Sequence, residues 1–332
     1  MTTPIDFNSW LSVLRKEYLQ DFIKSGGAGV KFIVPLDGLD NTTVLTELKK
    51  AAEEDGYLFV SIDAATTKAH MIDKVFHAIA GQVDWDDLTY AFLCTILAQE
   101  HYQLPGEGQE LNMTNLASLN NQSEANMKLR MEGHLRDHIY KDYTMTQQFR
   151  IAMLRLCQAQ LEPQKPIAEF APIVKEWLCG ELRLISAIKP AFIFSKLGRH
   201  NARHMLFSLA SWVHNAGKSG LVISLDISRF MESTRPLDGS MYYTRNMLFD
   251  GYEVLRQFID GTDELKFCLI LVLAPPSFLS PEKERGLQIY EALYFRIWDE
   301  VRDEHRTNPL SCLIRLSGKS QTKEFEEPGG AQ

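Results

Sequence analysis

Val30-Lys31-Phe32-Ile33-Val34-Pro35-Leu36-Asp37-Gly38-Leu39-Asp40-Asn41-Thr42 decides the fold class of this chain. Its first five residues are β-branched or aromatic except for Lys31, which reads as a buried strand. The next eight carry the turn formers Pro, Asp, Gly and Asn. A helix from about Thr43 to Glu54 follows and stops at Gly56. A second strand, Tyr57 to Ile62, and a helix from about Lys68 to Ala80 complete the run. Strand, turn, helix, strand, helix is the rhythm of a parallel α/β sheet. Upstream, Trp10, Val13, Leu14, Tyr18, Leu19, Phe22 and Ile23 recur at helical spacing, and Gly26-Gly27 ends that helix.

The rhythm is then interrupted. Trp85 to Ile188 offers no convincing strand. Residues 88–101 read as an apolar helix and 103–126, rich in Asn, Gln, Gly and Ser, as a surface loop or linker. Residues 127–160 read as one long amphipathic helix or two short ones. Pro163, Pro166 and Pro172 break the chain before a short helix near Val174–Leu178. Beyond this the α/β rhythm returns. The expected elements are a helix over Arg199–Ala216, a strand Leu221–Leu225 ending in Asp226, and a helix Tyr243–Ile259. They are followed by the very apolar strand Phe267–Leu273, a helix Leu287–Val301 and a last strand Cys312–Leu316. The expected organisation is an α/β domain built from 1–83 and 191–318, a helical insertion at 84–190, and a disordered tail at 319–332.

Composition narrows the function classes. The 332 residues are 45% apolar and 23% charged, which excludes disorder over most of the length. The net charge of −8 excludes a strongly basic protein that coats nucleic acid, though not a local basic patch. No apolar run reaches the ~18 residues of a membrane span. The N-terminus lacks a basic flank and an apolar stretch, so no secretory signal is expected. Five well-separated cysteines in apolar stretches (94, 157, 179, 268 and 312) suggest buried thiols in a reducing cytoplasm.

Two stretches invite comparison with the phosphate-binding loop G-x-x-x-x-G-K-[ST]. Ala216-Gly217-Lys218-Ser219 has its final three residues, but a helix precedes it and a strand follows, and Trp212 stands where the first Gly belongs. That reads as a helix-ending turn. Residues 35–42 have the right context, between strand and helix, but Pro35 and Asp40 replace the glycines and Asn41 the lysine. Only Thr42, at the Mg²⁺ position, fits.

The segment Asn201-Ala202-Arg203 through Ala216-Gly217-Lys218-Ser219-Gly220-Leu221, then Val222-Ile223-Ser224-Leu225-Asp226, resembles the region of the second nucleotide motif in the BREX-type ATP-binding proteins. These are AAA-like P-loop ATPases of bacterial phage-defence gene clusters. Tyr18-Leu19 to Phe32, and Gly286-Leu287-Gln288-Ile289-Tyr290-Glu291-Ala292-Leu293 ending at Arg296, are similar to further segments of that family. The resemblance is scattered over about residues 10–300. It implies an AAA-like three-layer P-loop sandwich with a parallel sheet, and ATP with Mg²⁺ as the family's ligand.

Against that pattern three catalytic parts are missing. The loop is degenerate, the glutamate that follows the strand-end Asp226 is Ile227, and a polar residue after the strand 267–273 is Ala274. An isoleucine neither accepts a proton nor orients water. The expectation is therefore a P-loop fold that has lost hydrolysis, with no catalytic residue intact. Gly38, Asn41, Thr42 and Asp226 mark the degenerate nucleotide site. Thr42 and Asp226 read either as remnants of Mg-nucleotide binding or as a helix N-terminal residue and a turn cap, the latter preferred. The expected cofactor is none, the alternative being ATP with Mg²⁺.

Arg296 falls where such ATPases place an arginine finger acting on a neighbour's nucleotide. The plainer reading pairs it with Glu291 or Asp299. Arg235, Arg245 and Arg256 have weaker context. Lys196, Arg199 and Arg203, with His200 and His204, form a basic cluster that suits phosphate or an acidic partner. His134 and His138 stand at i, i+4, a zinc-compatible spacing. With no H-E-x-x-H and no cysteine near in sequence, a solvated helix face is expected there and at His200/His204, and no metal. The function expected is an inactive ATPase homologue serving a bacterial anti-phage or DNA-transaction complex. It would act beside a homologous active ATPase, with DNA reached through the complex and no membrane contact. A divergent ATPase completed by a partner and a DNA-binding AAA-like module are the alternatives.

Overall fold

The computed structural model describes residues 4–36, 38–106, 109–280, 284–298 and 308–318. Among these, six strands form one sheet: β1 (Ile5–Asp6), β2 (Ala28–Pro35), β3 (Leu58–Asp63), β4 (Leu221–Asp226), β5 (Cys268–Leu273) and β6 (Leu313–Ser317). Their spatial order is β1-β6-β2-β5-β4-β3, and every neighbouring pair is parallel. The expected strands are all present within two residues. The edge strand β1 is too short to carry a periodic signal.

The central strands are buried on both faces, which explains why they read as continuous apolar runs. Alternate residues serve opposite layers. Ile33, Val222, Leu269, Leu271 and Leu273 face helix α1 (Phe7–Val13, continued to Phe22 by wider π-helical turns) and α2 (Asn41–Glu54). Phe32, Val34, Ile223, Leu225, Ile270 and Val272 face the other way, into the larger core. That core includes α3 (Ile72–Ala80), followed along the chain by α4 (Trp85–Gln99), α5 (Met113–Leu119), α6 (Glu124–Leu135), α7 (Gln147–Leu161) and α8 (Phe170–Cys179). Beyond them come α9 (Ala202–Asn215), α10 (Arg245–Asp260) and α11 (Glu291–Trp298). The architecture is a three-layer α/β/α sandwich.

Between β3 and β4, residues 84–190 are helical, with no strand among the described ones. These helices share the large core instead of standing apart. Phe92 packs against Trp212 of α9 with ring centroids 4.1 Å apart and the planes tilted by 35°, and the Thr146 N–H donates to Ser208 Oγ at 2.9 Å. The stretch expected to be a loop at 103–126 holds α5 and the start of α6. Its polar residues are the caps: Asn112 Oδ1 accepts from Asn115 N at 2.9 Å, and Ser123 Oγ from Asn126 N at 3.3 Å. The tail at 319–332 and the end of the expected helix 287–301 lie outside the described residues, as does Asp37.

Gly220 shows how tightly β4 enters the sheet. Its φ is +151°, and a Cβ there would stand 2.3 Å from the Phe267 carbonyl oxygen, which already accepts from Leu221 N at 2.8 Å. Replacing Gly220 with Ala is expected to cost about 2–4 kcal/mol through overpacking and backbone strain. A urea-unfolding midpoint compared with Gly38→Ala, a position with open space around its Cβ, checks the packing part.

Candidate functional site

Because all strands are parallel, their C-terminal ends meet at one edge, and ligands of open α/β sheets bind there. Register puts Asp63, Asp226 and Leu273 side by side at that edge, with Pro35 beyond β5. The Gly217-Lys218-Ser219 turn lies at the opposite edge, one strand length of about 20 Å away. There Gly217 (φ +87°) ends α9, and Ser219 Oγ donates to the Asp55 carbonyl at 2.7 Å.

The loop after β2 is folded onto its surroundings. Leu36 N donates to the Leu316 carbonyl of β6 at 2.8 Å, and Gly38 (φ +83°) turns the chain. Gly318 packs so closely that a Cβ on it would come within 2.6 Å of the Gly38 oxygen. Asp40 caps α2: its carboxylate accepts from Thr43 N and Thr43 Oγ1, both at 2.8 Å. Those two hydrogen bonds hold its carboxyl below the usual carboxylate range.

Asn41, at the lysine position, donates from Nδ2 to Asp226 Oδ2 at 2.9 Å and to Ser228 Oγ at 3.1 Å. Asp226 Oδ1 accepts from Ser228 N at 2.8 Å, so each carboxylate oxygen already has a protein donor. Thr42 is exposed, and its carbonyl accepts from Thr46 Oγ1 at 2.8 Å. Ile227 and Ala274 are fully buried, and their amides bind Leu273 and Ile33 carbonyls. The structure thus unites Asn41 with Asp226, while the loop itself supplies no cationic side chain.

Arg296 is about one-third exposed and engages Asp260 of α10 with two of its nitrogens; of the two partners expected for it, Asp299 lies outside the described residues. Asp260 also binds Arg256, and Arg256 binds Glu253 through two bonds of 2.6–2.7 Å. The Tyr290 hydroxyl donates to Glu253 at 2.6 Å. Tyr290 and Arg296, both part of the motif that resembles the ATPase family, therefore clasp α11 to α10.

Lys196, Arg199, His200 and His204 are exposed as expected, and Arg203 lies over the Phe207 ring at 5.9 Å. Arg245, a lesser sequence candidate, lines a cavity of about 550 Å³ beyond the β4 and β5 ends, with Ser233, Tyr242 and Ser277. That cavity lies in the connections that follow β4 and β5, which carry no recognisable motif. Arg235 is exposed.

A parallel sheet with a strand–loop–helix turn opposite a strand-end aspartate defines the P-loop class of α/β fold. Within it the chain is matched over residues 13–326 by the family model described as "BREX system ATP-binding protein BrxC/D", and it belongs to that family. No individual curated protein matches it. No helix among the described residues is long and apolar enough to cross a membrane.

Two outcomes test this geometry. Asn41→Ala removes the side-chain donor to Asp226 and is expected to lower stability by about 1–2 kcal/mol in chemical denaturation. Glu253 is held down to about 2, chiefly by its bonds with Arg256. The stability it contributes is complete above its unfolded value near 4.5 and is lost progressively as pH falls toward 2. Urea midpoints measured from pH 5 to pH 3 are expected to fall less steeply for Glu253→Gln than for the parent.

Proposed function

We propose that this chain is a catalytically inactive P-loop ATPase homologue, a structural or regulatory subunit of a cytoplasmic anti-phage complex, working beside an active ATPase of the same family. The observation that carries this reading is the Asn41–Asp226 hydrogen bond. In a working site a lysine would offset phosphate charge and the aspartate would hold Mg²⁺. Here a neutral amide occupies the lysine's place and spends a donor on the aspartate. The neighbouring Asp40 carboxylate adds negative charge where phosphate oxygens would approach. A buried Ile227 next to Asp226 leaves no base to direct water. Each loss costs kilocalories in the transition state, and together they multiply to many orders of magnitude in rate.

The sheet and its helices remain fully built, so the fold is available for contacts with neighbours. Arg296, exposed on α11, is the residue proposed to reach a partner's nucleotide, exchanging Asp260 for the partner's phosphates on assembly. Lys196, Arg199 and Arg203 are proposed as the phosphate or partner contacts through which DNA is met.

The experiment is a pull-down of the tagged chain from its native host, followed by ATPase assays on the purified assembly and on the chain alone. An active ATPase is expected to co-purify, and the isolated chain is expected to show no hydrolysis. Arg296→Ala is expected to lower the rate of the intact assembly by about 10³-fold, the scale of an arginine finger. Hydrolysis by the isolated chain overturns the reading, and so does an assembly rate indifferent to Arg296→Ala.

A further inference from the structure

His134 on α6 and His138 in the π-helical turns that follow meet a third ligating side chain that lies far away in sequence. Glu100 ends α4, and His134 and His138 lie 34 and 38 residues further on. One Glu100 oxygen, Oε1, stands 3.6 Å from His134 Nδ1 and 3.6 Å from His138 Nε2. All three ligand atoms fall within 4.8 Å of one another. A tetrahedral ion with nitrogen and oxygen ligands at about 2.0–2.1 Å spaces them by roughly 3.3–3.4 Å, so small side-chain rotations close the set.

The local backbone is built to make this meeting. Helix α4 ends in a paired-bond cap in which His101 N donates to the Ala98 carbonyl at 3.1 Å and Tyr102 N to Leu97 at 2.9 Å. His101 takes the left-handed conformation (φ +62°) that such a cap normally assigns to glycine. This reversal brings the Tyr102 hydroxyl to 3.3 Å from His134 Nε2. A ring that uses Nδ1 as a ligand keeps its proton on Nε2, and the Tyr102 oxygen is placed to accept it. Directly after His134 the helix widens into π turns over Arg136–Tyr140, with Lys141 N donating to the Arg136 carbonyl at 3.0 Å. Single π turns of this kind recur at functional sites.

Electrostatics points the same way. A carboxylate at a helix C-terminus faces the negative end of the helix dipole and is disfavoured unless a cation compensates it. Glu100 is in that position, its side chain 40% exposed, and the groups aimed at it are two imidazoles. Beside the three ligands lies a cavity of about 460 Å³ lined by Asn120, Gln122 and Arg130 as well as Glu100 and His134.

We propose that Glu100, His134 and His138 bind one divalent ion of the zinc class, with Tyr102 as the positioning partner of His134 and water in the fourth coordination place. Two imidazoles and one carboxylate form the donor set that zinc takes in three-ligand sites. The ion ties the end of α4 to α6 within the helical insertion, and the site is independent of the degenerate nucleotide site.

Chelator-dialysed full-length protein, its affinity tag removed, is titrated with Co²⁺ and then Zn²⁺. One equivalent of Co²⁺ is expected to bind, with the intense visible bands of a low-coordinate nitrogen/oxygen site and no thiolate charge-transfer band, and Zn²⁺ displaces it. His134→Gln, His138→Gln and Glu100→Gln are each expected to weaken binding by at least about tenfold. In chelator they should keep the parent's circular dichroism and thermal midpoint, since Gln replaces each ligand without loss of bulk. Absence of stoichiometric Co²⁺ binding overturns the proposal. So does binding that the three variants leave unchanged, or a spectrum carrying a thiolate band.

Discussion

The parallel register of the sheet is the constraint on which everything else rests. With every strand running the same way, each connection must cross back over a face, and the crossing helices cover both sides. That is why β2, β4 and β5 are apolar over most of their length. It also gathers the strand ends at one edge, so that the loop after β2 and the aspartate after β4 face each other although 185 residues separate Asn41 from Asp226. Lys31, the one charged residue inside β2, is buried without breaking the pattern. Its ammonium donates to the carbonyls of Leu310 and Ser311 and lies over the Tyr18 ring at 4.4 Å. The segment leading to β6 is thereby fastened to the centre of the sheet.

What the sequence made legible was what repeats with a local period. Apolar strands of five to eight residues and helices with an apolar stripe declare themselves, and the same logic dismisses the Gly217-Lys218-Ser219 turn, which the structure puts at the wrong edge. Region 103–126 departs from its expected loop for a local reason: Asn and Ser favour loops in general, whereas Asn112 and Ser123 here cap helices. Asn41 and Asp226 could be matched to motif positions, but the bond between them depends on strand order. The partner of Arg296 illustrates the same limit. Sequence neighbours are the natural candidates, and the structure adds Asp260 on another helix. Glu100 likewise meets His134 across 34 residues of chain, a proximity that no local period reveals.

The family membership and the altered site make a consistent physical account. A nucleotide site must keep charged groups partly unsatisfied so that a ligand can satisfy them, and that unsatisfied state costs stability in the free protein. In this chain the corresponding groups satisfy one another. Asp226 receives Asn41 and Ser228, Asp40 receives Thr43, and the strand-end positions after β4 and β5 carry Ile227 and Ala274, both wholly buried. At this edge of the sheet the side chains are occupied in interior packing and helix capping.

The same argument explains why charge stays elsewhere. The network that joins Glu253, Arg256, Asp260, Tyr290 and Arg296 lies on the outer helices, partly exposed. Ion pairs there hold two helices in a fixed relation at small net cost, since water still screens them. Such pairs also exchange partners readily. A guanidinium released from Asp260 loses little, because Arg256 remains to neutralise the carboxylate, and it gains a multiply charged phosphate in a drier interface. A clasp between α10 and α11 in the free subunit is therefore compatible with a finger in the assembled one. On the proposed reading the exchange alters only which anion the arginine faces.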